Sequence, residues 1–336
     1  MSIELSIVIA TYNPQERIFA RVLKAVESLR YDDRGKVECV IVDNRSTPPV
    51  QNMPCVQEFL RAWPNARIVR EETPGLMHAR LAGIRATTGQ AIVSFDDDNV
   101  PDPAYLQGVS KCMRDYPCVG VWGPGKIDVE LLDPVPGWLK ERAKASHSQR
   151  SSRFVQYGFT PTAWHEFYPI GMGQAVRREV AESYRRAVEA GTLAATGRKG
   201  LSLTSGEDVQ IVWHAMTLGF AAGTAPALAI THLIPGSRTT LRYFMRLAFG
   251  VGSSYHPARA QVYPGEYERR QPYVPRTSGI LMQLWRVVWK SVLQRNRFLP
   301  VDFAGKIGDI CGRMTVEGYG NEHWIFKLAM RLGLKE

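Results

Sequence analysis

The sequence predicts an α/β protein with a mainly parallel central β-sheet, followed by a helical C-terminal segment. Two observations support this fold class. Short apolar runs rich in β-branched residues alternate with segments whose apolar residues recur at helical spacing, and several of these runs end abruptly in polar residues. Such alternation favours right-handed crossovers between parallel strands, whose carboxyl ends share one edge of the sheet. We therefore expect the polar residues at the strand ends to be neighbours.

The first strand is predicted over residues 3–10, IELSIVIA, because a nearly continuous apolar run is typical of a strand covered on both faces. Residues 15–29 follow as an amphipathic helix, and residues 37–42 form a second buried run. The remaining predicted elements are helices at 56–62 and 76–86, strands at 66–69, 91–95 and 118–122, a helix opened by Pro103, a helix at 209–218 ended by Gly219, and a strand at 225–231. The residues expected to meet at the sheet edge are Thr11, Asn13, Asp43 and Asp96 to Asp98.

The acidic stretch IVSFDDDNVPDP, residues 92–103, is the strongest local indication of a binding site. It places Asp96, Asp97 and Asp98 side by side at the end of a predicted strand. Three adjacent carboxylates repel one another, so a divalent cation and the diphosphate that it carries are natural partners. The alternative is a solvated acidic turn that caps the next helix. The position at a strand end favours the site, because open α/β sheets bind ligands there.

A dinucleotide-binding fold is a second interpretation of the same alternation. Its first turn should carry closely spaced glycines that let a pyrophosphate approach a helix N-terminus. The turn after the first predicted strand is TYNP and contains no glycine. The sequence therefore disfavours a nicotinamide cofactor.

Composition narrows the class of protein. The chain has 336 residues, of which 45% are hydrophobic and 22% charged, as in an ordinary globular protein with one large domain and an appended segment. Five scattered cysteines without a CxxC spacing favour reduced thiols in the cytosol. The formal net charge of +10 indicates an anionic partner. Neither a leader peptide nor a long apolar segment is evident, so a cytoplasmic location is expected.

Five separate motifs occur in a fixed order over residues 3–235. They are SIVIATYNP, VIVDNRS, TPGLMHARLAGIRATTGQ, SFDDDN and GEDVQIVWHA. In these motifs the chain resembles the family 2 inverting glycosyltransferases of the GT-A fold, of the type that builds bacterial polysaccharides. The resemblance implies a Rossmann-like catalytic domain at 1–235, with a nucleotide-sugar-binding half at 1–122 and an acceptor and catalytic half at 123–235. Residues 236–336 would form the helical segment.

The resemblance also implies roles for individual residues. It assigns nucleotide-sugar binding to Thr11, Asn13, Asp43, Arg80, Asp96, Asp97 and Gly171, and metal binding to Asp98. Asp98 would ligate Mg²⁺ or Mn²⁺, whereas Asp97 would serve mainly as a brace. One departure is Leu81, because the family often has asparagine after the arginine. Each assignment has a structural alternative: Asn13 could form only a turn, Asp43 could only brace a loop, and Arg80 could be a solvated helix residue.

Aromatic residues are concentrated between residues 123 and 173, where the regular alternation stops. Among them, Trp138 and Trp164 are predicted to bind the acceptor, because aromatic rings stack on the C–H faces of sugars. Core filling is the alternative. Within the loop PIGMG at 169–173, Gly171 would let the backbone approach the donor sugar.

Two acids and a histidine complete the predicted site. Glu207 and Asp208 precede a predicted helix, where acids also complement the helix dipole. The resemblance implies that Asp208 is the catalytic base and Glu207 its supporting neighbour. His232 follows a predicted strand and would be a further metal ligand by the resemblance, although a structural role is the alternative.

The C-terminal segment is basic and amphipathic. Residues 263–279 are predicted to be a linker or mobile loop, and residues 269–301 contain seven Arg or Lys and no acid. Residues 281–299 and 323–334 have the pattern of helices that lie on a membrane surface. These helices could equally pack on the catalytic domain or on a second subunit of a homodimer. If they bind the inner leaflet, the acceptor would be a polyprenyl-linked glycan.

The sequence thus predicts a metal-dependent inverting glycosyltransferase that transfers a hexosyl or N-acetylhexosaminyl group from a UDP-sugar or other nucleoside-diphosphate sugar to a glycan or lipid-linked glycan. It would act in the cytoplasm or at the inner face of the plasma membrane, without a nucleic-acid partner. One alternative is a sugar-phosphate nucleotidyltransferase. Such an enzyme should carry a glycine-rich, basic N-terminal loop, and the corresponding segment here, TYNPQER, is not of that kind. Another is a non-enzymatic module that binds anionic lipid or nucleic acid.

Overall fold

A computed structural model of the chain describes residues 2–194, 203–204, 206–269 and 272–335. The chain divides into two compact units, which are Met1–Gly191 with Ile211–Gly236, and Thr192–Gln210 with Ser237–Glu336. The sequence placed the division after residue 235, and the first unit ends at Gly236. Residues 192–210, which contain both predicted catalytic acids, belong to the second unit.

The first unit contains the predicted strands and helices in the predicted order, together with six elements that the sequence analysis did not predict, at 99–101, 137–146, 150–151, 156–158, 174–177 and 178–189. Its elements are β1 (Leu5–Thr11), α1 (Glu16–Glu27), β2 (Val37–Asp43), α2 (Pro54–Ala62), β3 (Ala66–Arg70), α3 (Leu76–Arg85), β4 (Ala91–Asp96), β5 (Asn99–Pro101), α4 (Tyr105–Asp115), β6 (Val119–Leu131), α5 (Gly137–Ser146), β7 (Arg150–Ser151), β8 (Gln156–Gly158), β9 (Gln174–Arg177), α6 (Arg178–Glu189), α7 (Glu207–Thr217) and β10 (Ala221–Ile234). The first four residues of α7 belong to the second unit.

The strands form one sheet in the order β3-β2-β1-β4-β9-β6-β10-β5, with β7 beside β6 and β8 beside β10. The β3-β2-β1-β4 part is parallel throughout, and β6 is also parallel to β10. β9 is inserted antiparallel between β4 and β6. The predicted α/β class with a mainly parallel sheet is therefore confirmed.

Strands β1 and β2 lie in the middle of the parallel part and are buried along their whole length. On one face they are covered by α1, whose inward side chains include Phe19, Val22 and Val26. The register pairs Thr11 with Asp43, and Ala10 with Asp96. The carboxyl ends of β1, β2 and β4 are therefore level with one another, as the sequence predicted.

Several element boundaries differ from the prediction. Helix α4 begins at Tyr105, not at Pro103, because Asp102 Oδ1 accepts the N–H of Ala104 at 2.8 Å and forms a turn before the helix. Strands β6 and β10 are both longer than predicted, and they pair with each other over most of their length. Their ends are stabilised by this pairing with a distant strand, which a local apolar pattern does not reveal.

The second unit is helical, as predicted. Its helices are α8 (Leu241–Val262), α9 (Pro264–Arg269), α10 (Thr277–Leu293), α11 (Leu299–Val316) and α12 (Trp324–Arg331). The predicted linker at 263–279 is interrupted, because residues 264–269 form α9 and α10 begins at Thr277, while residues 272–276 form neither helix nor strand. Pro264 occupies the first position of α9, where proline is well tolerated. Among the described residues, none of the helices combines the length and the apolar character needed to span a bilayer.

Helices α8 and α11 pack against each other through glycines. A Cβ on Gly252 would lie 2.8 Å from the Asp309 nitrogen, and one on Gly312 would lie 2.9 Å from the Gly252 oxygen. The backbones can approach this closely only because side chains are absent there. His256 of α8 also contacts Asp309 Oδ1 through its Nε2 at 2.9 Å. Burial alone would raise the pKa of Asp309, but its hydrogen bonds with His256 and Lys306 and the charge of Arg313 hold it well below its usual range.

Replacing Gly308 with alanine is expected to lower the free energy of unfolding by about 1–3 kcal/mol, as overpacking does in other cores. The added Cβ would collide with the carbonyl oxygen of Phe249 on α8. Thermal or urea unfolding followed by circular dichroism measures the change. Gly279→Ala in α10 is the matched control, because nothing lies within 4 Å of the added Cβ, and it should raise stability by about 0.4–1 kcal/mol. A Gly308→Ala variant as stable as the control would contradict this account of the crossing.

Candidate active site

The candidate site lies in the first unit, at the edge where β1, β2 and β4 end. Thr11 and Asp43 are the last residues of their strands and are paired in register. The hydroxyl of Thr11 donates a hydrogen bond of 2.6 Å to Asp97 Oδ2, in the acidic turn that follows β4. Residues from three separated motifs therefore meet at one edge, as the sequence predicted from the strand pattern.

Asn13 joins the loops that follow β1 and β2. Its backbone N–H donates to Ser46 Oγ at 2.9 Å, and its side-chain Oδ1 accepts the N–H of Thr47 at 2.8 Å. Asn13 and Arg45 both have positive φ, at 47° and 63°. Non-glycine residues rarely adopt this conformation, and they cluster in binding loops when the surrounding structure holds them there. Asn13 therefore does more than form a local turn, although its predicted role in nucleotide binding stays a prediction.

Asp43 holds the loop that follows β2. Its carboxylate accepts hydrogen bonds from the backbone of Ser46 at 2.7 Å and of Val50 at 3.2 Å, and it contacts Arg70 Nη1 at 3.1 Å. Only 3% of its side chain is exposed. This is the bracing contact that the sequence analysis gave as the alternative for Asp43. A direct contact with base or ribose stays a prediction for this residue.

Arg80 connects the acidic turn to the loop predicted to face the donor sugar. Its Nη2 lies 3.1 Å from Asp96 Oδ1 and 3.3 Å from the carbonyl oxygen of Gly171. The side chain is 14% exposed, so Arg80 is not a solvated residue of the α3 surface. Charge-assisted hydrogen bonds of this kind hold both partners in a defined geometry. Gly171 and Asp96 are 75 residues apart in the sequence, and both contact the guanidinium group of Arg80.

Asp98 faces His232. Asp98 Oδ2 lies 3.5 Å from His232 Nε2, and both residues are buried. His232 lies inside β10 opposite Asn99 of β5, and not after the end of a strand as predicted. Asn99 donates to Asp98 Oδ1 at 2.7 Å and accepts the N–H of Asp96 at 3.1 Å. The acidic turn is therefore fixed by its own asparagine.

These residues fit a divalent cation. His232 Nδ1 is 3.3 Å from the carbonyl oxygen of His147. Since a carbonyl only accepts, this contact places a proton on Nδ1. Nε2 faces Asp98 Oδ2, so these two atoms would be the protein ligands of a shared cation, and a second ring nitrogen anchored on a carbonyl is typical of metal-binding histidines. No group of three or more metal-binding side chains occurs in the described part of the chain, so diphosphate and water would supply the other ligands.

The backbone of the PIGMG loop is supported by Tyr105. The Tyr105 hydroxyl donates a hydrogen bond to the Gly173 carbonyl. Gly173 has φ of +62°, and a Cβ there would lie 2.6 Å from that hydroxyl, so only glycine fits. Burial raises the pKa of Tyr105 far above its ordinary value, against the opposing charge of Arg150. Burial lowers the pKa of Arg150 to about 10.

The two tryptophans predicted to bind the acceptor have different surroundings. Trp138 is on α5 and is 50% exposed. Trp164 packs edge-on against Tyr168 and Trp213, with ring centroids 5.3 and 5.7 Å apart. Trp164 is therefore part of a packed aromatic cluster, whereas Trp138 presents a ring to solvent. Acceptor binding stays a prediction for both.

Glu207 and Asp208 occupy the first turn of α7, in the second unit. Glu207 is buried and its Oε2 accepts the N–H of Gly206 at 3.1 Å, while Asp208 Oδ1 is 3.0 Å from the Val209 nitrogen. The helix ends as predicted at Gly219, whose φ is +88°. The N–H groups of Gly219 and Phe220 bond to Met216 and Ala215, which is a Schellman motif.

Sequence reasoning gave no role to five residues of this site, which are Asn99, Ser46, Tyr105, His147 and Arg150. Asn99 was quoted within SFDDDN and Ser46 within VIVDNRS, so their positions beside predicted strand ends were available signals. Tyr105, His147 and Arg150 had no comparable signal. His147 comes from the end of α5 and Arg150 from β7, and only the tertiary fold brings them to residues of other motifs.

Comparisons with known proteins concern the family and the fold of the chain. The family model described as "Glycosyl transferase family 2" matches residues 6–185, which is more than half of the chain. A structure of the mannosyltransferase PcManGT from Pyrobaculum calidifontis, in complex with GDP-Man and Mn²⁺, aligns with 96% of this chain and 89% of that chain at 17% identity and a TM-score of 0.56. TarS from S. aureus, residues 1-349, aligns with 93% and 92% of the two chains at 13% identity and a TM-score of 0.47. No curated protein sequence matched the chain.

Proposed function

The chain belongs to glycosyl transferase family 2, and from this premise we propose that it is a metal-dependent inverting enzyme that uses a nucleoside-diphosphate sugar. We further propose a UDP-sugar as the donor, a hexosyl or N-acetylhexosaminyl group as the transferred sugar, and a glycan or polyprenyl-linked glycan as the acceptor. The observation that carries the proposal is the convergence at one sheet edge of the Thr11–Asp97, Arg80–Asp96 and Asp98–His232 contacts.

The nucleotide would lie along this edge, against the loops that Asn13 and Asp43 hold in place. These loops are anchored by hydrogen bonds between the two strand ends, so a ligand need not order them on binding. The fold is compatible with such a donor, because the PcManGT structure holds GDP-Man and Mn²⁺. Arg80 would keep the PIGMG loop close to the acidic turn, where the donor sugar and diphosphate are expected.

Asp98 and His232 are the residues that would hold the cation, which when bound would neutralise the charge that builds on the departing diphosphate. Asp97 is engaged by the Thr11 hydroxyl and Asp96 by Arg80. We propose Asp98 as the carboxylate ligand of the cation, because its Oδ2 faces His232 Nε2 at 3.5 Å. Asp96 and Asp97 would contact the nucleotide sugar, and their contacts with Arg80 and Thr11 hold the turn in position.

Asp208 would act as the catalytic base. The acceptor hydroxyl must lose its proton as its oxygen attacks the anomeric carbon, and a positioned carboxylate can accept that proton as the bond forms. The bond from the anomeric carbon to the diphosphate oxygen breaks on the opposite face. A single displacement of this kind inverts the anomeric configuration, so an α-linked donor would yield a β-linked product.

The charge of the chain supports a proposal for the acceptor and the location. The formal net charge of +10 and the basic C-terminal helices support an anionic partner. We propose that the enzyme works at the inner face of the plasma membrane in the assembly of a bacterial surface polysaccharide. A polyprenyl diphosphate-linked glycan would present both the acceptor hydroxyl and an anionic anchor there.

The test is nucleotide release from a panel of UDP-, GDP- and dTDP-sugars, with Mn²⁺ or with a chelator, in the presence of simple and lipid-linked acceptors. One donor should give release that the chelator abolishes and that added Mn²⁺ restores. Proton NMR of the product should show the anomeric configuration opposite to that of the donor. Retained configuration, or release that is unchanged by the chelator, would contradict the proposed mechanism.

A further inference from the structure

The outer face of α10 carries a continuous stripe of exposed apolar side chains. Its members, each at least half exposed, are Leu281, Met282, Trp285, Trp289, Val292 and Leu293. At about 3.6 residues per turn these positions fall within an arc of about 120°. We call this set the α10 stripe. A contiguous apolar surface of this kind on a soluble fold usually marks an interaction site.

The opposite face of α10 is already covered. Ile280 and Leu284 are buried in a hydrophobic cluster of the second unit, together with Ile307 and Ile310 of α11. The helix is thus held in place by one face alone. The α10 stripe is not needed for the packing of the unit and remains open to a partner.

Two tryptophans form the centre of the stripe. The rings of Trp285 and Trp289 are stacked, with centroids 5.9 Å apart and an interplanar angle of 19°. Both are more than half exposed. Tryptophan has an apolar ring with one polar N–H, which suits the boundary between lipid headgroups and acyl chains.

Positive charge borders the stripe. Arg286 and Lys290 lie beside it on the same helix and are exposed, and the chain from residue 269 to 301 carries seven Arg or Lys and no acid. A second copy of this chain would bring the same positive charge to the contact. An anionic surface is complementary to both the charge and the apolar side chains.

Helix α12 does not share these features, although the sequence pattern of the two segments is similar. Its apolar residues Ile325, Phe326 and Ala329 are buried within the second unit. These three residues therefore cannot contribute to the membrane contact that the sequence predicted at 323–334. Of the two helices, α10 is the one that carries several apolar side chains at least half exposed.

We propose that the α10 stripe docks on an anionic phospholipid surface, with the helix lying parallel to the membrane plane and Trp285 and Trp289 at headgroup depth. The proposal deepens the proposed function, on which it rests for the lipid-linked acceptor. Docking would confine the enzyme to the surface that carries its acceptor, and so raise the rate of encounter between the two.

Sedimentation of the full chain with vesicles tests the proposal directly. The chain is expected to bind phosphatidylcholine vesicles that contain phosphatidylglycerol. Its binding to vesicles of phosphatidylcholine alone should be at least about tenfold weaker. A double variant, Trp285→Gln with Trp289→Gln, should weaken binding to the anionic vesicles by at least about tenfold. A second double variant, Arg286→Gln with Lys290→Gln, should do the same on anionic vesicles but leave the weak binding to neutral vesicles unchanged.

Val251→Gln is the matched control, because Val251 is an exposed apolar residue of α8 outside the stripe and is 52% exposed. It should bind vesicles as the unmodified chain does. Absence of vesicle binding, or binding that survives both double variants, would overturn the proposal. The proposal would also be overturned if the unmodified chain binds no vesicles but forms a concentration-dependent dimer, and the tryptophan variant abolishes that dimer. Nucleotide binding, measured by calorimetry on the same variants without lipid, distinguishes failure of docking from failure of the proposed function.

Discussion

Replacing Asp208 with asparagine is expected to lower the rate of sugar transfer by a factor of about 10²–10⁴, the usual contribution of general-base catalysis. Asparagine has nearly the same shape but cannot accept the proton of the acceptor hydroxyl. Donor binding should be nearly unchanged, because Asp208 is assigned to the proton transfer and not to the nucleotide. The measurements are the initial rate at saturating donor and the donor dissociation constant by calorimetry.

Glu179→Gln is the control for this variant. Glu179 is an exposed acid in the first turn of α6, as Asp208 is an acid in the first turn of α7. If Asp208 only complements the helix dipole, both substitutions should cost about 0.3–1 kcal/mol of stability and leave transfer intact. If donor binding is lost in Asp208→Asn together with activity, the base has been assigned to the wrong residue.

The Asp98→Asn variant is expected to lose the dependence of donor binding on Mn²⁺, and to reduce transfer by about 10²–10³. A catalytic cation typically supplies several kcal/mol of charge stabilisation, and Asp98 and His232, which face each other at 3.5 Å, are its proposed protein ligands. A neutral amide oxygen binds a divalent cation more weakly than a carboxylate. Titration of nucleotide binding with Mn²⁺ measures the first effect without relying on turnover.

Asp102→Asn controls for the loss of one negative charge in the same stretch. Asp102 is exposed, and its carboxylate caps the turn before α4. This variant should retain both Mn²⁺-dependent binding and transfer. Equal Mn²⁺ dependence in Asp98→Asn and in the unmodified chain would remove Asp98 from the metal site. It would leave the acidic turn with a structural role alone.

The sequence alone was sufficient for the fold class, for the order of the predicted elements and for the meeting of Thr11, Asp43 and Asp96 at one edge of the sheet. Strands β1 and β2 are mostly apolar and are buried along their whole length because both faces of the sheet are covered, so their composition indicates their burial. Likewise Gly219 ends α7 because a left-handed residue is needed there, and glycine marks such positions in any sequence. Because parallel strands align their carboxyl ends, the meeting of Thr11 with the acidic turn could also be predicted.

Only the tertiary structure decided which side chains face each other and which surfaces stay open. The carbonyl of His147 that orients His232, and the Gly171 carbonyl that meets Arg80, come from segments with no pattern linking them to their partners. The tertiary structure also decided which apolar surfaces of α10 and α12 are exposed. The two helices have similar amphipathic sequences, but α12 buries its apolar face and α10 leaves its stripe exposed. Residue spacing shows that a helix has an apolar face, but what covers that face depends on contacts with residues far away in the chain.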